Sequence, residues 1–182
     1  MNIIPALILW FLLPAWILAG FLDWICHRRS GIAVHCGPWE SILHLLLLAE
    51  AGAALLIGLL LELNEPALAL IALCFIAHEV TGYVDIRYAH ARRNLSPAEQ
   101  RIHDYMTAIP VTALCLVGVM HYETVAALAT DPARVFTVTL QWKIVPLPAW
   151  QILFILGAVV IADLIPYAEE FHRGLRARRA RR

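Results

Sequence analysis

Five apolar runs, each close to the length of a membrane-crossing helix, constrain the fold of this 182-residue chain more than any other feature. They lie at about Ile3 to Leu22, Ser41 to Leu61, Ala67 to Ile86, Tyr105 to Leu128 and Pro148 to Ala168, against the ~20 residues a helix needs to cross the hydrocarbon layer. Composition agrees, with 61% hydrophobic residues, 15% charged residues and a mean hydropathy of +0.71. Such values do not describe a soluble domain. The first run has no basic segment ahead of it, and no small-residue cleavage site follows it at Phe21, Leu22, Asp23 and Trp24, so it reads as a retained span. The expected fold is all-α: an integral membrane bundle of about five helices forming one domain, residues 1–182, with a short Arg-rich tail at 173–182.

Charge placement orients these spans, because Arg and Lys accumulate on the cytoplasmic side. With alternating spans, one side receives Arg28, Arg29, Arg87, Arg92, Arg93, Arg101, Arg173, Arg176, Arg178, Arg179, Arg181 and Arg182. The other receives only Arg134 and Lys143. The expectation is a multi-pass membrane protein, in the inner membrane if bacterial, with its N-terminus outside and its tail in the cytoplasm. The tail then sits on anionic headgroups at about 1 kcal/mol per residue, and no nucleic-acid role is needed to explain it.

Within this greasy background one spacing recurs three times: a carboxylate followed four residues later by histidine. Asp23 precedes His27, Glu40 precedes His44, and Glu99 precedes His103. Four residues along a helix bring two side chains to the same face, where carboxylate and imidazole can grip one metal ion. A fourth pair, His78 and Asp85, is seven residues apart and also shares a face. All eight residues fall at the cytoplasmic ends of the first four spans, where helices can gather them into one bundle-core site. The expected ligand set is therefore Asp23, His27, Glu40, His44, His78, Asp85, Glu99 and His103.

Simpler roles compete for each pair. Ser96-Pro97-Ala98-Glu99 has the form of a capping box, in which Glu99 would bond the Ser96 amide. Asp23 with Arg28, or Asp85 with Arg92 or Arg93, would make ordinary interfacial ion pairs. His78 resists such a reading, because it follows the uncharged segment Ala67 to Ala77 and lies about 10 Å deeper than Asp85. Glu79, Tyr83 and Asp104 are candidates for supporting roles behind the ligands. His35, Glu50, Asp163, Glu169, Glu170 and His172 are held in reserve, Glu169 and His172 for their i, i+3 spacing. His121 and Glu123 fall at the far interface, where residues 129–147, with weak alternation from Val135 to Leu140, suggest a short strand or hairpin. Pro110 and Pro166 are expected to kink their helices.

Mixed carboxylate and imidazole ligands suit iron, manganese and zinc, and Cys26, Cys36, Cys74 and Cys115 form no C-x-x-C. Four carboxylates balance two divalent ions. Four helices carrying such ligands resemble the carboxylate-bridged di-iron bundles, with i, i+4 spacing in place of Glu-x-x-His. In plan, across roughly the first 105 residues, the chain also resembles the membrane-bound di-iron hydroxylases and desaturases of lipids, without their His-x-x-His-His boxes. That resemblance implies O2-dependent hydroxylation or desaturation of a lipid or other apolar substrate at two divalent ions, iron favoured, with zinc or manganese as alternatives. No Gly-rich phosphate loop or dinucleotide fold is present, so electrons would come from a separate donor protein. Two other functions fit the ligands: a zinc-dependent intramembrane lipid hydrolase, and a non-enzymatic divalent-metal binding or transport protein.

Overall fold

The computed structural model describes residues 3–181. Among these the chain is helices and turns, with one isolated antiparallel bridge between Leu61 and Trp142. Five helices are long and apolar enough to cross a membrane: α1 (Ile3–Ser30), α3 (Pro38–Leu60), α4 (Glu65–His90), α5 (Pro97–Met120) and α8 (Ala149–Arg179). Short helices join them: α2 (Ile32–His35), α6 (Tyr122–Thr130) and α7 (Arg134–Thr137).

Local chemistry sets the ends. Pro38, Pro66 and Pro97 stand in first turns, where a missing N–H costs nothing, and Asn64 and Ser96 accept from the amides of Ala67 and Glu99. α1 stops at Gly31, whose φ of 68° suits glycine and whose N–H closes on the His27 carbonyl. Two five-residue π turns, Ile8–Leu12 and Val160–Leu164, each lie just before a proline, Pro14 and Pro166. A proline ring crowds the carbonyl four residues back, and in both places the residue ahead of it, Leu13 or Ile165, donates instead to the carbonyl five back, Ile8 or Val160.

α4 packs along α3 and α5 along α1, while α8 lies against both α1 and α3. Two glycines permit the approach of α8. A Cβ on Gly174 would stand 2.9 Å from Pro38 backbone atoms, and one on Gly20 would stand 2.5 Å from Asp163 Oδ1. The apolar surface mostly faces outward, as Leu18, Leu73, Ile76 and Ile161 show, all more than half exposed. The apolar core is small, built on Leu13, Leu59 and Ile155. Apart from Ile32, the largest fully buried side chains are polar: His27, Glu40, Glu99, Glu170, Asp23 and Ser41. This inversion fits a chain whose solvent is lipid.

Two sequence expectations change. The fourth span begins at Pro97 rather than Tyr105 and ends at Met120, because the chain turns at His121 and continues as α6. No strand forms at 135–140. Asp131 accepts from the Ala133 amide and starts the helical turn α7 instead. Pairing comes later, where Glu62 donates to Gln141 and Lys143 to Leu60, both at 2.9 Å. The Lys143 ammonium also donates to the Gly58 and Leu61 carbonyls at 2.8 and 2.7 Å, capping α3, and its burial lowers its pKa.

Candidate metal centre

Seven of the eight expected ligands converge at the Arg-rich end of the bundle, and all seven are buried: Asp23 and His27 on α1, Glu40 and His44 on α3, Asp85 on α4, Glu99 and His103 on α5. Ligand atoms of Asp23, His27, Glu99 and His103 lie within 4.8 Å of one another, as do those of His27, Glu40 and His44. This buried cluster of imidazoles and carboxylates could hold a metal ion.

Its geometry is organised by Glu170, fully buried on α8. The Nδ1 of His27 lies 3.0 Å from one Glu170 oxygen and the Nδ1 of His44 lies 2.9 Å from the other. An ionised carboxylate only accepts, so each imidazole donates its Nδ1–H to Glu170, which fixes the ring orientation and turns both Nε2 atoms toward the rest of the cluster. The two rings stack at 4.5 Å with 12° between their planes. Their Nε2 atoms consequently face the same way, into the remaining carboxylates. His27 Nε2 lies 3.2 Å from Glu99 and 3.3 Å from Asp23, and His44 Nε2 lies 3.4 Å from Asp85. Both Nε2 atoms are buried without a hydrogen-bond partner, as are Glu40 Oε2, Asp85 Oδ1 and Glu99 Oε1. Imidazole nitrogens facing carboxylate oxygens in a buried site form an arrangement completed by a positive charge, whether protons on the rings or a metal ion. His103 adds a third imidazole, its Nε2 2.9 Å from Asp23 Oδ1.

Arg93, from the α4–α5 loop, closes the cluster. One of its nitrogens lies 2.6 Å from Glu99 and also contacts Glu40. Burial alone would lower its pKa, but hydrogen bonds and charge from Glu99 and Glu40 raise it, so the guanidinium is permanently charged. Next to it, burial and Glu40 push the Cys36 thiol up to about 12. A neutral thiol is a poor ligand, so the donor set stays oxygen and nitrogen. Tyr167, also buried on α8, donates to the Gly20 carbonyl at 3.1 Å and reaches Asp23 at 3.4 Å.

The residue that does not join is His78. It lies one level deeper, with Nδ1 donating to the Leu47 carbonyl at 3.2 Å and its ring against Trp16. The seven-residue spacing to Asp85 aligns the two on one face but separates them by about 10 Å along the axis, too far for one cluster. Glu170 takes its place. The proposed supporting residues also stand elsewhere: Tyr83 and Asp104 are exposed, Tyr83 beneath Arg87 and Asp104 paired with Arg101. Glu79 is half-buried on α4 away from these contacts. Among the reserves, Glu169 bonds Trp24 and Arg28 at the surface, His35 and His90 bond only carbonyls of their own turns, and Glu50 accepts from Thr81. Ser96 caps α5 as the sequence suggests, but the Glu99 carboxylate turns to His27 and Arg93 instead of completing the box.

Glu170 moves from the reserves into the centre, and Arg93 and Tyr167 join it there as well. A signal for two of them was present: Asp163, Pro166, Tyr167, Glu170 and Gly174 are the buried positions at the end of α8, and they recur at helical spacing while Glu169 and His172 fall off that stripe. No known protein family, curated protein or solved structure matches the chain.

Proposed function

We propose that this chain is a membrane-embedded metal-dependent oxidoreductase, holding two divalent ions, iron favoured, and using O2 to hydroxylate or desaturate a lipid or other apolar substrate. The observation that carries the reading is the parallel pair of imidazoles, anchored through Nδ1 on Glu170, with unpartnered Nε2 atoms aimed at unpartnered carboxylates. The two stacked rings offer two separate nitrogen donors, one for each ion. Charge supports the same number. Five buried carboxylates and one guanidinium leave four negative charges, those of two divalent ions, and near lipid an unbalanced charge is heavily penalised.

Asp23, His27, Glu99 and His103 would hold one ion, and Glu40, His44 and Asp85 the other. Reduced, such a pair supplies activation of O2 for removing hydrogen from an unactivated carbon. Hydroxylation on these terms takes two electrons from a donor protein and two protons, placing one oxygen atom in the substrate and the other in water. Glu170 keeps both imidazoles in register, and Arg93 holds Glu40 and Glu99 as carboxylates.

Elemental analysis of the detergent-purified protein, with its optical spectrum before and after dithionite, tests the proposal. About two irons per chain with a reducible absorption support it. Zinc alone after growth in ample iron would overturn the redox reading in favour of hydrolysis, and absence of metal would reduce the cluster to buried ion pairs.

A further inference from the structure

Beside the metal centre a narrow cavity of about 70 Å³ lies between α1, α3 and α8. It extends along α3 from His44 to Leu55, eleven residues or about 16 Å. A space this narrow over that length leaves no room for two alkyl chains side by side. Leu13, Ile17, Leu48, Leu55 and Val159 line it with apolar surface at the depth of the membrane-crossing segments.

Besides His44, Tyr167 and the Trp16 indole, two polar groups interrupt these walls with an unpaired acceptor atom, Asp163 and His78. Asp163 is 5% exposed, lies in the π turn of α8 against Gly20, and its Oδ1 has no hydrogen-bond partner. The nearest hydroxyl, on Tyr167, is committed to Gly20 and Asp23. His78 donates Nδ1–H to the Leu47 carbonyl, so its Nε2 is the bare nitrogen of the ring. A buried carboxyl oxygen without a partner is destabilising, and an unpartnered ionisable group at this depth marks a functional position. No donor from the cavity wall reaches Asp163 Oδ1. It has to come from an occupant.

We propose that this cavity binds a single-chain lipid whose head carries a hydrogen-bond donor of the hydroxyl or amide kind, the donor resting on Asp163 and His78 and the alkyl chain running along α3 between α1 and α8. The proposal rests on the oxidoreductase reading only in making this lipid the substrate; binding itself needs no metal. Asp163 precedes Glu170 by seven residues, so the anchored head sits about 10 Å from the metal centre along α8. His44, at the end of the cavity, belongs to both.

Photo-crosslinking of the full chain in lipid vesicles tests this, using hexadecanol and hexadecane that carry the same diazirine, on wild type, Asp163→Leu and Gly52→Trp. Gly52 lines the cavity away from the centre, and a Cβ there meets nothing within 4 Å, so a tryptophan side chain starts from open space and occludes the cavity. The expected result is labelling of Ile17, Leu48 and Val159 by the alcohol about tenfold above the alkane, the discrimination of one hydrogen bond. Asp163→Leu should reduce the alcohol to the alkane level, and Gly52→Trp should abolish cavity labelling by either. Equal labelling by both probes in wild type, or labelling confined to outward residues such as Leu73 and Ile76 and unchanged by Gly52→Trp, overturns the proposal. Metal content of the same samples separates the two readings: alcohol-selective labelling of a metal-free protein retains this inference and sinks the oxidoreductase, and unselective labelling of a metal-loaded protein does the reverse.

Discussion

At the scale of single residues, Glu170 differs from every other carboxylate in the cluster because both its oxygens are occupied by imidazole N–H groups. Its removal should therefore act through the histidines. Glu170→Ala is expected to lower metal affinity by about 10–100-fold, the effect seen when the carboxylate behind a ligating histidine is lost, measured by competition with a chelator. His27→Ala, His44→Ala and His103→Ala should each lower metal content in elemental analysis, and His78→Ala should leave it unchanged. Retained metal in the first three would remove the centre from the argument. Cys36 gives a test by pH: its pKa rises from 9.0 to about 12, so at pH 8 the folded protein carries about 10³-fold less thiolate at this position and should alkylate correspondingly slowly until it is denatured. The same shift makes Cys36 cost stability above pH 9, where the unfolded chain ionises and the folded one does not. Six of the seven gathered positions were legible from i, i+4 spacing, which is local geometry, and Asp85 only from its i, i+7 pairing with His78, which the fold keeps apart from it. Arg93 was not, since a loop has no period that says which way its side chains turn.

At the scale of elements, α8 decides whether the centre is complete. Gly174 lies one turn beyond Glu170 on the same face, and its contact with Pro38 sets how closely α8 approaches α3. Gly174→Ala puts a methyl 2.9 Å from that backbone and should cost about 1–3 kcal/mol, seen as a lower unfolding midpoint in detergent, together with loss of metal as Glu170 withdraws. Loss of stability with metal retained would show that Glu170 follows the imidazoles rather than holding them. The five helices were legible as apolar runs, yet their polar ends were not: hydropathy places the start of the fourth at Tyr105, while the helix begins eight residues earlier at a Pro and Ser cap. The buried stripe of α8 was present in the sequence but lay beside an acidic and basic surface stripe at the same charge density, and periodicity alone separates them.

At the scale of the whole molecule, the chain places its buried charge at one end and lipid-facing apolar surface around it. Without a metal ion, the excess negative charge at that end has only the buried imidazoles to offset it, so metal removal should destabilise the entire bundle. Thermal unfolding in detergent is expected to shift upward on adding ferrous iron, with about 2.7 kcal/mol gained at a hundredfold excess over Kd, and to revert with chelator. We expect the Arg-rich end to face the cytoplasm; a single reporter cysteine at Ala180, in a chain with its native cysteines removed, should be shielded from a membrane-impermeant maleimide added outside intact cells. Labelling from outside would invert the topology. The contribution of α8 also has a consequence for biosynthesis. Glu170 belongs to the last of the five spans to leave the ribosome, so the first four can enter the membrane with their carboxylates and histidines and still present two unheld imidazoles. Metal capture then waits for α8 to emerge and pack, and a nascent chain stalled before α8 should carry no metal.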